Sequence, residues 1–579
     1  MRSTVPYMAV EAGTELIEFD GQLSLMAAPE IIHDPAVYLV DLADEHGEVF
    51  TRPWVVGLIL DLVGYTDDRD LADLTVVEPA CGSGAFLGPL VRRLSASCRR
   101  WNRPITDATG SLRAFDLLPA NVERSRELVS RVLVDDGWPA DAAEMLAVEW
   151  VQVSDFLLRS SQVGAVDVVV GNPPYVRLED VPEMRMRAYR NACRTMTGRS
   201  DLYVGFIERA LQSLKSDGKV GFICADRWMR NQYGRHLRAM VAARFSVDVA
   251  IAMHDVDAFD EVVSAYPAIT VISRRAQGAA ILADTTAAFD ADAGSHLSGH
   301  IRRGVDTTVS TATYQVSQLP HWFGGDESWP TGSPARLAMI EHLTDHFPPL
   351  EDPATQTRVG IGVATGADGV FITTDTQVAE RERLLPLSMV SDLASGRVEW
   401  SGHYLVNPWD DDGLVRLQNH PRLFGYFEAN AEALRRRNVA GRQPDKWYRT
   451  IDRVIPGLKE SSKLLIPDMR MTMHPVLDEG QTYPHHNLYF VTSGAWDLRV
   501  LGGLLLSRVA TAFVEAFCVK MRGGTLRFQA QYLRRIRVPR REDISPADAA
   551  ALADAFDRRD VDTATSVALR LYGLDALPE

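Results

Sequence analysis

Val166-Asp167-Val168-Val169-Val170-Gly171 runs directly into Asn172-Pro173-Pro174-Tyr175. The β-branched run reads as a buried strand, and the tetrapeptide behind it reads as a stiff turn at that strand's carboxyl end. Pro173 has no N–H and Pro174 fixes φ, so the turn presents carbonyl oxygens in a set direction. The Asn172 side-chain oxygen and the Pro173 carbonyl are two acceptors suited to a planar exocyclic amine. Such an amine is a poor nucleophile because its lone pair is delocalised into the ring. Accepting both of its hydrogens draws the nitrogen toward tetrahedral geometry and frees the pair. Tyr175 adds a ring face for a planar base. The lesser alternative for the stretch alone is a strand that simply ends in a Pro-rich turn.

The upstream sequence decides between these readings. Leu74-Thr75-Val76-Val77 leads into Glu78-Pro79-Ala80-Cys81-Gly82-Ser83-Gly84-Ala85-Phe86-Leu87 and then a helix-like stretch to Leu94. This strand–loop–helix places a ligand at the carboxyl end of a strand, where open α/β sheets bind ligands. Gly82 and Gly84 allow close backbone approach. The spacing is not that of a dinucleotide fingerprint, and no Lys-Ser/Thr follows, which disfavours NAD and ATP.

Further apolar runs at Leu112–Asp116, Val148–Val153, Val220–Cys224, Val247–Ala252 and Ala268–Ser273 alternate with helical patterns. With Thr75–Glu78 and Val166–Val170 they predict seven strands in a mostly parallel sheet covered by helices on both faces. The last two runs lack an intervening helix, which predicts an antiparallel hairpin at the sheet edge.

On these motifs the chain resembles the gamma class of adenine-N6 DNA methyltransferases, whose order is cofactor loop, catalytic tetrapeptide, recognition domain. The resemblance is close over Gly47 to Arg275 and looser over Thr357 to Arg541. It implies a seven-stranded Rossmann-like class I methyltransferase domain dependent on S-adenosylmethionine, joined to a C-terminal α+β target-recognition domain. Thr51 matches the threonine contacting the methionine carboxylate, although Arg52 separates it from Pro53 where many members have Thr-Pro. Asp116 matches the ribose-binding acid, and Asp155-Phe156 the pair gripping the cofactor adenine. The implied cofactor set is Thr51, Glu78, Ala80, Cys81, Gly82, Asp116, Asp155, Phe156 and Asn172. The implied catalytic set is Asn172, Pro173, Pro174 and Tyr175, with Phe259 as the second aromatic sandwiching a flipped adenine and Tyr266 as its alternative. The implied partners are double-stranded DNA and a separately encoded restriction endonuclease.

A chain of 579 residues is too long for one core. The expected boundaries are a lead-in at 1–46, the catalytic domain at 47–275, a Gly/Ser/Thr/Asp-rich linker at 276–347 and the recognition domain at 348–579. No apolar run reaches the roughly 20 residues of a spanning helix, the first residues lack a signal-type apolar region, and five scattered cysteines suit a reduced cytoplasm. The net charge of −16 confines DNA contacts to local basic segments. Arg435 to Arg470 carries ten Lys/Arg against four acids, and Lys520 to Arg541 eight against none. Arg435, Arg436, Arg437, Arg442, Lys446, Arg522, Arg534 and Arg535 are the expected phosphate contacts. His485-His486-Asn487 has no acidic or Cys partner at ligand spacing, so no metal is expected.

Two other assignments compete. An RNA or protein-glutamine N-methyltransferase shares the tetrapeptide but needs little beyond the catalytic domain. A bifunctional restriction enzyme needs a nuclease, for which 46 leading residues are too few.

Overall fold

Strands form where the β-branched runs predict them, because the central runs at Val76–Glu78 and Val166–Gly171 are buried on both sides and reach their hydrogen-bond partners only in a sheet. The computed structural model describes residues 50–159, 163–260, 267–305, 307–518 and 525–578; the lead-in at 1–46, Tyr266 and Arg522 lie outside them. The seven expected strands are β1 (Val76–Glu78), β2 (Leu112–Asp116), β3 (Val151–Val153), β4 (Val166–Gly171), β5 (Leu214–Ala225), β6 (Ser246–Ala252) and β7 (Pro267–Ser273). Val148 to Trp150, expected in β3, instead finish the helix Ala140–Trp150.

The sheet has ten strands rather than seven, in the order β3-β2-β1-β4-β5-β7-β6-β8-β10-β9. β8 (Ala280–Thr285), β9 (Val309–Ser310) and β10 (Tyr314–Leu319) come from the segment expected to be a linker. β8 pairs parallel with β6, so the antiparallel β6/β7 hairpin lies inside the sheet and not at its edge. The linker fails at its other end too. The helix Pro334–His346 sends Met339, Ile340 and Leu343 into the C-terminal core.

β1 to β5 run parallel, so their carboxyl ends share one rim. The chain steps outward from β1 through β2 to β3, then returns to β4 beside β1. That reversal is the position where open sheets hold ligands. Side chains alternate between two cores: Val168 and Val170 face one, Val169 and Val77 the other. Helices Pro53–Val63 and Leu87–Arg100 cover the first face, and Leu202–Gln212 the second.

The C-terminal region is built on a four-stranded sheet, Arg358–Ile361, Leu488–Thr492, Ser462–Pro467 and Val476–Glu479 in spatial order. Leu464 and Ile466 face the helices Leu498–Leu506 and Arg508–Phe517, while Leu465 faces a second core around Phe371 and Phe427. Among the described residues no single helix is long and apolar enough to cross a membrane. Both halves belong to one compact unit. They meet where Arg230 Nη1 donates to the Cys518 carbonyl at 3.2 Å.

Candidate active site

The glycine loop follows from the sharp turn between β1 and the helix Leu87–Arg100. Gly82 and Gly84 adopt φ of +51° and +98°. A Cβ on Gly84 would lie 2.5 Å from the Leu128 side chain, so only glycine fits. The loop is pinned to β2 by the Cys81 N–H on the Phe115 carbonyl at 2.8 Å. Asp116, at the end of β2, braces it further. Its Oδ2 accepts from the Gly82 N–H and its Oδ1 from the Leu118 N–H, both at 2.9 Å. The Asn121 side-chain amide also donates to Oδ1, at 3.3 Å, so the carboxylate is held in place at the strand end.

Thr51 Oγ1 and Glu78 Oε2 on this rim are buried without a hydrogen-bond partner among the described residues. A buried unsatisfied group costs about 1–3 kcal/mol, and a polar ligand in the cradle would relieve it. Burial, and secondly the neighbouring Asp116, push the Glu78 carboxyl well above the usual range. Thr51 bridges Phe259 as an isolated β-pair, which brings the chain before helix Pro53–Val63 against the loop after β6. Cradle, acceptor and orphaned groups together suit a nucleoside cofactor with a polar tail. Ala80 and Cys81 line the same turn, Cys81 nearly fully buried.

Asp155 lies just beyond β3. Its Oδ1 accepts from the Leu157 N–H at 3.0 Å and its Oδ2 from the Tyr189 hydroxyl at 2.9 Å. Burial raises its pKa above the carboxylate norm against the lowering pull of that hydroxyl. Tyr189 belongs to the helix Glu183–Ala192. Phe156 is 2% exposed and stacked on Phe206, 5.8 Å between centroids. It anchors the Asp155 turn in the core and, with Phe115 and Ser154, lines a cavity beside β2 and β3.

Asn172 and Pro173 follow β4 at the same rim, one strand from the glycine loop. Tyr175 and Phe259 do come together, 6.3 Å between centroids, but at 83°. A sandwich needs two parallel faces, so the expected pairing of these rings around a base is not the geometry present. Phe259, buried in the core, buttresses Tyr175 edge-on. Tyr203 flanks Tyr175 from the other side at 6.4 Å, and its hydroxyl meets that of Tyr233 at 2.6 Å. Tyr233 in turn donates to Asp201 at 3.2 Å.

Sequence reasoning also missed Asp226, Arg230 and His254. Asp226, just after β5, pairs with the buried Arg230 and with His254 Nε2 at 2.7 Å. Burial would raise its pKa, but the two partners hold it below the usual value. Its only signal in sequence is an acid at a strand end. His254 begins the loop that carries Phe259, so the cluster ties that loop to Arg230 and through it to Cys518.

The basic candidates divide. Arg437 donates to the carbonyls of Thr365, Leu434, Trp447 and Arg449 and lies over Phe371, so it is a structural clamp. Arg535 lies over the Phe517 ring at 4.2 Å and bonds the Ser328 carbonyl, and burial lowers its pKa. Neither is placed for phosphate. Arg534 is half-exposed and pairs with Glu351 at 3.3 Å. Arg435, stacked on Trp447, and Arg436, Arg442 and Lys446 are exposed. The reason for rejecting a metal also fails: Asp368, 117 residues away in sequence, meets His485 at 3.2 Å.

A Rossmann-like sheet, a glycine cradle and an Asn-Pro-Pro-Tyr turn on one rim define a methyltransferase. The model of the Eco57I restriction-modification methylase family matches residues 131–259. The chain is 42% identical to the Type II methyltransferase M.PaeR7I of Pseudomonas aeruginosa, covering 94% of this chain and 97% of that one. It is 40% identical to M.XhoI of Xanthomonas vasicola over 92% and 98%. The protein belongs to the Type II restriction-modification DNA methyltransferases. In fold it is similar to the Type IIL restriction-modification enzyme MmeI, solved in complex with DNA, with TM-score 0.57 at 10% identity over 91% of this chain and 74% of that one.

Proposed function

We propose that this protein methylates N6 of adenine at a specific site in double-stranded DNA, using S-adenosylmethionine, within a restriction-modification system whose endonuclease is a separate chain. The observation that carries the reading is the placement of Asn172-Pro173-Pro174-Tyr175 at the end of β4, next to the glycine loop after β1. In this reading Thr51, Glu78, Gly82, Asp116 and Asp155 hold the cofactor, which when bound supplies an electrophilic methyl group on sulfonium.

The amine of a stacked adenine is out of reach, so the base is rotated out of the duplex, at a cost of a few kcal/mol. Tyr175 offers its face to the ring, with Phe259 and Tyr203 fixing its plane. The Asn172 side-chain oxygen and the Pro173 carbonyl accept the two N6 hydrogens and release the lone pair for attack. Catalysis is then orientation plus polarisation by acceptors fixed before the base arrives. Long-read sequencing of DNA from a methylation-deficient host expressing the chain tests this. Modified adenines confined to one sequence motif are expected, and unmodified DNA alongside labelled RNA or protein would refute it.

A further inference from the structure

We infer that Asp368, His485 and His486 form a binding site for one borderline divalent cation, of the zinc, cobalt or nickel type. One ligand atom from each of the three side chains lies within 4.8 Å of the others. A tetrahedral zinc site with metal–nitrogen bonds of 2.0–2.1 Å sets its ligand atoms roughly 3.3 Å apart, so modest side-chain rotations close the set. Two imidazoles and one carboxylate favour these ions over magnesium or calcium, which take oxygen ligands.

The supporting backbone is rigid. The Val363 N–H donates to the Pro484 carbonyl at 3.0 Å, and the His485 N–H to the Ser388 carbonyl at 3.1 Å. A Cβ on Gly362 would lie 2.2 Å from the His485 carbonyl oxygen, so the two turns touch backbone to backbone. The Thr365 hydroxyl donates to Asp368 Oδ1, orienting the carboxylate so that Oδ2 faces His485 Nε2. Metal sites commonly orient a ligand in this way.

His485 is 3% exposed, and Nδ1 of both histidines is buried without a hydrogen-bond partner among the described residues. The His485–Asp368 hydrogen bond leaves the His486 Nδ1 without a partner, and a bound ion could take it. The Asp368 side chain is 47% exposed, which leaves an entry path. A bound ion would lock the Val363–Asp368 turn to the His485–His486 turn, on the carbonyl of Thr365 that Arg437 already clamps.

The test uses the untagged full-length chain stripped with chelator. Titration with Co²⁺ should give visible d–d bands saturating at one ion per chain. Zn²⁺ should displace it and raise the melting temperature, while Mg²⁺ should do neither. Asp368→Asn and His486→Asn should each weaken Co²⁺ binding at least tenfold. Asp368→Asn is nearly isosteric and partly exposed, and its metal-free melting curve checks that it folds. Absence of d–d bands at micromolar to millimolar Co²⁺, or binding that survives both substitutions, would overturn the assignment.

Discussion

The Tyr189 hydroxyl donates to Asp155 Oδ2 at 2.9 Å, joining the helix that follows the Asn-Pro-Pro-Tyr turn to the acid beyond β3. The bond couples a segment on the target side to one on the cofactor side. It also opposes the burial that raises the Asp155 pKa. In Tyr189→Phe that opposition is lost and the Asp155 pKa rises further. If cofactor binding uses ionised Asp155, affinity falls on acidification from a pH above the ordinary carboxylate range. The variant should bind at least about tenfold more weakly, from a lost bond to a charged group of roughly 1.5–3 kcal/mol, with the acid limb moved to higher pH. Calorimetric cofactor titrations across pH read both effects, and a superimposable profile would remove Asp155 from the site.

Asp116 braces the Gly82 N–H and is the proposed ribose acceptor. Asp116→Ala should weaken cofactor binding by about 1–3 kcal/mol, the scale of lost bonds to a charged group. Equilibrium binding at neutral pH measures it, and unchanged affinity would leave Asp116 as a loop brace only.

Glu78 is a buried acid with a raised pKa. Its folded state therefore binds a proton over a range in which the unfolded chain has lost it. Its contribution to stability is fully present below the unfolded pKa and is lost as pH rises toward the folded one. Glu78→Gln, a mimic of the protonated acid, should match wild type near pH 4. Above that it should become progressively more stable than wild type, by up to about 1.4 kcal/mol per pH unit. Melting temperatures of both cofactor-free proteins from pH 4 to 8 check the sign. A difference that stays flat would show Glu78 ionised in the fold.

The exposed Arg435, Arg436 and Arg442 are the proposed phosphate contacts, and Arg437 is not. Replacing those three by Ala should weaken DNA binding across sequences. The slope of log K against log salt should flatten by up to about 3, at roughly 0.9 per lost phosphate contact. Arg437→Ala should instead lower the melting temperature, because four carbonyls lose their donor. Salt titrations of both proteins separate the roles; an unaltered slope in the triple variant would make the cluster a solvated face.

The catalytic strands were legible because Val166 to Val170 and Val76-Val77 are apolar runs that only a doubly covered sheet can bury. The rim chemistry was legible for the same reason: Asp116 and Asn172 end strands that sequence alone could place. β8 to β10 were not. Ala280 to Thr285 is short, mixes Ala, Asp and Thr with Ile and Leu, and joins the sheet only because β6 offers it an open edge. Side-chain direction was equally hidden. Arg437 and Arg535 look like phosphate contacts until distant carbonyls and rings close over them. Phe259 was located correctly beside Tyr175, but whether it faces that ring or meets its edge depends on the Thr51 pairing. Asp368 and His485 are brought together by strand pairing that no local spacing records.

Tritium transfer from labelled S-adenosylmethionine to duplex DNA, followed by nucleoside analysis, decides most directly whether the Asn172–Tyr175 turn methylates adenine. Label is expected in N6-methyladenosine deoxynucleoside alone. Asn172→Ala should lose at least about 10²-fold in turnover, the scale of removing one preorganised polar contact, while keeping near-normal cofactor affinity. Label in methylated cytosine, or an Asn172→Ala variant turning over at the wild-type rate, would mean that this turn does not hold the target amine.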